Sequence, residues 1–109
     1  MEFKARQKLM IRSKVFKALA HPTRLFMVEE LAKGRKCVGD LTALVEADAS
    51  TVSKHLSILR QAGIVRDEKA GVQVFYELTM PCVLTFFSCI DAVATEQAEF
   101  QLHLSRESL

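Results

Sequence analysis

The stretch Ala49-Ser50-Thr51-Val52-Ser53-Lys54-His55-Leu56 has the residue pattern of a helix with two unlike sides. Val52, Leu56 and Leu59 recur at i, i+4 and i+7, so they share one apolar face that points inward. Ser50, Thr51, Ser53, Lys54 and His55 point away from that face or sideways. Asp48 is suited to cap the helix, because its carboxylate can accept from the free amides of the first turn. The helix is expected to run to about Ala62 and to close at Gly63. Short polar side chains let such a helix approach the floor of a DNA major groove. Its amino-terminal amides suit a phosphate, although the Asp48 charge partly offsets their field. Taken alone, a polar helix face is more often merely solvated; the order of elements around this one tips the reading toward DNA.

Upstream, Ile11, Val15 and Leu19 are spaced by four with Lys and Arg between them, which predicts an amphipathic helix over residues 4–20. Pro22 suits the first position of a second helix. Its buried stripe is expected at Leu25, Val28 and Ala32, with Gly34 as the stop. Arg35-Lys36-Cys37-Val38 is a connector with room for a brief strand. Val38, Leu41, Leu44 and Val45 mark a short third helix, and Glu46-Ala47 is a tight turn. Downstream, residues 64–78 read as a β-hairpin turning at Lys69-Ala70-Gly71. In it Val72, Val74, Tyr76 and Leu78 alternate with Gln73, Phe75 and Glu77. Thr79 and Pro81 open a long last helix with Val83, Phe87, Ile90 and Ala94 along one face.

The expected fold is mainly α, of the α+β kind: a winged helix-turn-helix in the order α-α-α-α-β-β-α, with a possible short strand before the third helix. A length of 109 residues fits one domain spanning 1–109. A domain of this size does not need both terminal helices for its core. Their spare apolar faces predict a homodimer built through the first and last helices. The formal net charge is only +2, so a DNA partner has to be argued from where the cations sit. No apolar run reaches the ~18 residues of a membrane helix, and Met1-Glu2-Phe3-Lys4-Ala5-Arg6 lacks a signal-peptide core. A cytoplasmic protein without a membrane partner is expected.

Further candidate DNA contacts are Arg60 at the far end of the fourth helix and Arg66, Lys69 and Gln73 on the wing, where a cation can reach the minor groove or flanking phosphates. Asp67 and Glu68 dilute the field there. Leu19-Ala20-His21-Pro22-Thr23-Arg24-Leu25 resembles the opening motif of the ArsR/SmtB repressor family. Thr51 to Leu56 followed by Leu59 to Val65 resembles that family's recognition helix and first wing strand, and Gly71 to Leu78 its second. The resemblance spans most of residues 15–80. It implies a dimeric repressor that holds an inverted-repeat operator in double-stranded DNA and releases it when a metal, metalloid or oxidant modifies the protein. Two departures stand out. Glu46 occupies the turn where the family often has Gly, and Ala49 follows the cap where it often has Gln, which removes a bidentate base reader. Base choice then falls to Ser50, Thr51 and Lys54, or to DNA shape.

Three cysteines are too few for a disulfide scaffold. Cys37 matches the first cysteine of a metalloid motif found in some members of the family, but Gly39 replaces the second. Of the family's zinc pattern on the last helix only His103 is present. Cys82 and Cys89 are seven apart, about 10.5 Å along a continuous helix; they cannot share one ion or a disulfide unless Cys82 precedes regular helix. Cys37 can instead approach Cys82, or Cys89 can meet a thiol of a second copy. DNA binding is expected to need no cofactor. Trivalent arsenic or antimony held by thiolates of Cys37, Cys82 and Cys89 is one effector this allows. Oxidation or persulfidation of a close thiol pair is another, and three buried packing thiols are the third reading. No nucleophile-base pair or phosphate-binding glycine loop is present, so an enzyme is not expected. A winged-helix protein-interaction module should lack cations at Lys54, Arg60, Arg66 and Lys69, which this chain has.

Overall fold

The computed structural model describes residues 1–107. Helices α1 (Phe3–Leu19), α2 (Pro22–Ala32), α3 (Val38–Val45), α4 (Ala49–Gln61) and α5 (Val83–Glu107) surround a small antiparallel sheet. Its strands are β1 (Lys36–Cys37), β2 (Val65–Ala70) and β3 (Gln73–Leu78), in the order β1-β3-β2. This is the winged helix-turn-helix plan the sequence predicts, including the brief strand before α3. No helix among the described residues is long and apolar enough to cross a membrane.

One buried cluster organises the centre. Met27, Val28, Leu41, Val52, Leu56, Leu59 and Ile64 are fully buried, and Ala18, Leu19, Leu31, Val65 and Val83 close around them. Each of the middle helices contributes residues from one turn-spaced stripe, so α4 is fixed by its apolar face while its other side stays open. The α2 stripe is displaced from the expected one. Met27 and Leu31 join Val28 in the core, Leu25 is half-buried and Ala32 is exposed. The 25/28/32 spacing and the 27/28/31 spacing are both helical, and only packing against the neighbouring elements decides between them. Leu44, expected inside α3, is 45% exposed, because an eight-residue helix can seat only one or two side chains.

Three boundaries also move. The wing turns at Gly71-Val72 rather than at Lys69-Ala70-Gly71, because Ala70 pairs with Gln73 and extends both strands to the tip. Gly71 has φ +65°, the positive value that a two-residue hairpin turn with glycine in its first central position requires. Val72, expected in the strand, therefore projects from the tip almost fully exposed. The last helix starts at Val83, since Pro81 and Cys82 form a turn ahead of it. Finally, the apolar residues of the outer half of α1 (Phe3, Leu9, Met10, Ile11) and of α5 beyond Phe87 are exposed: both helices outrun the core.

Candidate nucleic-acid interface

The turn into α4 sets its direction. Glu46 ends α3 in the left-handed conformation, φ 59° and ψ 39°, with its N–H donating to the Thr42 carbonyl. Two residues later Asp48 caps α4. Its Oδ1 accepts from the Thr51 N–H at 2.7 Å and from the Ser50 hydroxyl at 2.8 Å. Those bonds, with the Thr51 amide foremost and the Lys54 charge as a lesser aid, hold the Asp48 carboxyl below its ordinary value. The Ser50 hydroxyl is thus turned back to the cap. Thr51, Ser53 and Lys54 stand exposed on the outer face, opposite the buried Val52, Leu56 and Leu59.

His55 has a different surrounding from the other polar residues of α4. It is half-buried, and its Nδ1 lies 3.2 Å from the Arg24 guanidinium of α2. The Arg24 Nε donates in turn to the Ala18 carbonyl near the end of α1, at 2.6 Å. His21 caps α2 by accepting from the Thr23 N–H at 3.1 Å, and its ring lies 4.6 Å from that of His55. Burial first, then the nearby His21 and Arg24, pushes the His55 imidazole below its ordinary value. Sequence reading missed this junction. Its members, His21, Arg24 and His55, lie on different elements, and only His55 adjoins a core residue, Leu56, so local spacing did not link them.

Three arginines are engaged by carboxylates of the wing. Arg66 pairs with Glu77 directly across the hairpin at 2.9 Å. Arg60 reaches Asp67 at 3.5 Å, and Arg35 reaches Glu68 at 3.9 Å while stacking 4.4 Å above the Phe75 ring. Among the described residues, Lys54 on α4 and Lys69 near the wing tip stand outside every ion pair. Gln73 is exposed beside the tip. The candidate contacts therefore sit on two surfaces, the outer face of α4 and the wing, linked at their base by the Arg60–Asp67 pair.

The three thiols are free and differently placed. Cys37 is half-buried at the head of α3. Its N–H donates to the Asp40 carboxylate at 3.1 Å, while its sulfur takes the place that a Ser or Thr oxygen fills in a capping box. The amide and thiol of Cys37 lower the Asp40 carboxyl. β1 pairs with β3 as expected, Cys37 opposite Phe75. Cys82 lies in the turn before α5 and is exposed, so the helical spacing to Cys89 does not begin at it; Cys89 is exposed on the helix. Among the described residues no group of three or more His, Cys, Asp or Glu side chains stands at metal-holding range within one chain. Cβ built on Gly39 would lie 3.7 Å from the Cys37 sulfur, so a second cysteine there would sit beside the first.

Residues 21–67 match the model of the bacterial regulatory protein, arsR family. The chain is 35% identical over 80 residues to an HTH-type transcriptional regulator of Methanocaldococcus jannaschii, covering 72% of this chain and 90% of that one. It is 43% identical over 65 residues to an arsenic resistance transcriptional regulator of Pseudomonas putida, covering 59% of this chain and 51% of that one. The chain spans about half the length of most of the curated relatives it matches. Its fold is similar to that of a homodimeric winged helix-turn-helix DNA-binding domain of Mycobacterium bovis, with TM-score 0.78 and 26% identity over 91% of this chain and 92% of that one.

Proposed function

The chain belongs to the arsR family of bacterial regulatory proteins, and on that premise we propose that it is a transcriptional repressor, not an enzyme, acting in the cytoplasm as a homodimer on an inverted-repeat operator in double-stranded DNA. One observation carries the reading: α4 is anchored by Val52, Leu56 and Leu59, all fully buried, and turns Thr51, Ser53 and Lys54 outward. A rod fixed on one side and furnished with short polar groups on the other is what entry into a major groove requires. Ser50, Arg60, Arg66, Lys69, Gln73 and the outer edge of His55 complete the proposed contact set.

The homodimer reading is supported by the two overhanging helices. α1 carries Lys4, Arg6, Lys8, Arg12, Lys14 and Lys17 and no acidic residue within its span, while α5 carries Asp91, Glu96, Glu99 and Glu107 against Arg106. Both expose large apolar side chains, among them Met10, Phe16, Ile90 and Phe100. A cavity of about 380 Å³ between α1, α2 and α5, lined by Phe16, Leu25, Phe87 and Ile90 with Glu29 and Asp91 at its edge, leaves apolar surface for a second copy.

For the effector, a thiol-directed agent fits the three free cysteines, and the finer proposal is trivalent arsenic or antimony. Among the described residues one chain does not bring three His, Cys, Asp or Glu ligands together, so such a site is completed across the dimer through the exposed Cys82 or Cys89. The exposure of those two thiols also favours a second reading, release by a thiol oxidant or persulfide. The experiment selects a duplex from a random library with the purified protein, then measures its affinity against salt. Affinity should fall steeply with salt; absence of any selected sequence, with a flat salt response, overturns DNA binding. Adding arsenite, and separately peroxide, to the complex of wild type and of a triple Cys→Ser variant then separates the effectors. Equal release from both proteins removes the thiols from sensing.

A further inference from the structure

Arg24 ties three helices at one point. Its Nε donates to the Ala18 carbonyl of α1, and its Nη1 donates to His55 Nδ1 on α4, at 2.6 and 3.2 Å. Guanidinium has no acceptor and does not give up its proton in proteins. His55 Nδ1 must therefore be the acceptor, which places the ring proton on Nε2 and leaves the imidazole neutral. The same logic holds for His21, whose Nδ1 accepts from the Thr23 N–H and so caps α2. The two rings lie 4.6 Å apart. The observed arrangement therefore requires a proton-free Nδ1 on each ring.

We propose that His21, Arg24 and His55 form a proton-sensitive latch that holds the DNA-reading helix in register with α1 and α2 and lets it go on mild acidification. The proposal rests on the reading of α4 as the DNA-facing element. A proton on His55 Nδ1 removes the acceptor of Arg24, and a proton on His21 Nδ1 removes the cap of α2. Either event adds a cation beside Arg24, and both together set three cations within one small cluster. The groups that act on His55 are His21 at the head of α2 and Arg24 within it; α1 contributes the Ala18 carbonyl through Arg24, and Lys54 precedes His55 on its own helix. Among the described residues, none of His21, Arg24 and His55 forms an ion pair with a carboxylate that would offset the added charge. The neutral state preferred by burial agrees with this. Lys54 and Leu56 flank His55, so a change in its seat moves a groove-facing residue and a core residue together.

The sign separates the latch from a simpler role. If His55 only touched DNA phosphates, its protonation would strengthen binding. The latch requires the opposite: binding weakens roughly tenfold between about pH 7.5 and about pH 5.5, the interval in which histidines change charge. A double variant, His21→Asn with His55→Gln, keeps a capping side chain and an acceptor for Arg24 but cannot titrate in that interval. Affinity for a duplex selected from a random library is measured across this range for wild type, the double variant and His103→Gln. The latch predicts a loss in wild type and in His103→Gln and a flat profile in the double variant, whatever its affinity at the upper pH. A flat wild-type profile, tighter binding in acid, or an equal loss in the double variant overturns it. Amide-exchange protection of α4 is followed in parallel without DNA. It should drop in acid in wild type only, so if no duplex binds at any pH, the DNA reading fails while α4 protection alone decides the latch.

Discussion

Lys54 and Asp48 show two kinds of residue on one helix turn. Lys54 is an exposed cation outside every ion pair among the described residues, so Lys54→Ala should leave folding nearly untouched and weaken binding of a selected duplex severalfold, with the salt slope reduced by about one. Fluorescence anisotropy at several salt concentrations reads both; an unchanged slope would remove Lys54 from the interface. Asp48 is a cap whose carboxyl is held below its ordinary range by the Thr51 amide. A depressed carboxyl contributes stability above its unfolded value and loses it as pH falls through the folded one. Asp48→Asn should therefore flatten the acid side of the melting profile while keeping a cap, as calorimetry between neutral and acid pH would show. The capping role of Asp48 was legible from the sequence, because a cap depends on local spacing alone. The ties of Arg60 to Asp67 and Arg66 to Glu77 were not, since they depend on which residues the hairpin sets opposite one another. An exposed ion pair of this kind contributes at most about 1 kcal/mol. Arg66→Ala should hence alter DNA affinity far more than melting temperature, and the reverse pattern would place Arg66 in the scaffold instead.

At the scale of elements, the turn between α3 and α4 holds one residue in a strained conformation. Glu46 holds φ 59°, a region costing an ordinary residue about 1–2 kcal/mol. Glu46→Gly should raise the melting temperature by roughly 4–8 °C per kcal/mol recovered; an unchanged or lower value would mean that the Glu46 side chain compensates. On the other side of the helix, Leu56 is fully buried, and Leu56→Ala should cost about 2–5 kcal/mol in denaturant unfolding. The existence and order of the elements were readable because α4 carries a clean 3.6-residue period and the second wing strand a 2-residue one. Their edges were not. The 25/28/32 stripe of α2 and the place of the wing turn each had an equally regular neighbour, and only burial in the shared core and the Ala70–Gln73 pairing selected one.

For the whole molecule, the terminal helices reach well past the core and expose apolar faces with opposite charge balance. Ile90→Asp together with Val93→Asp should convert a dimer to a monomer in sedimentation equilibrium and abolish high-affinity binding to a two-half-site duplex; a wild type already monomeric at micromolar concentration would contradict the homodimer. The surplus apolar surface could be read from the sequence, since the core needs only part of α1 and α5. How the thiols of two copies meet could not, because one chain leaves Cys37, Cys82 and Cys89 without a shared site. The groove-facing role of α4 bears on every other functional statement, and amide chemical-shift mapping on adding a selected duplex tests it most directly. The largest changes are expected at residues 49–55, with a second set at 69–73 on the wing tip. Changes confined to α1 and α5, with residues 49–55 unmoved at saturation, would contradict it.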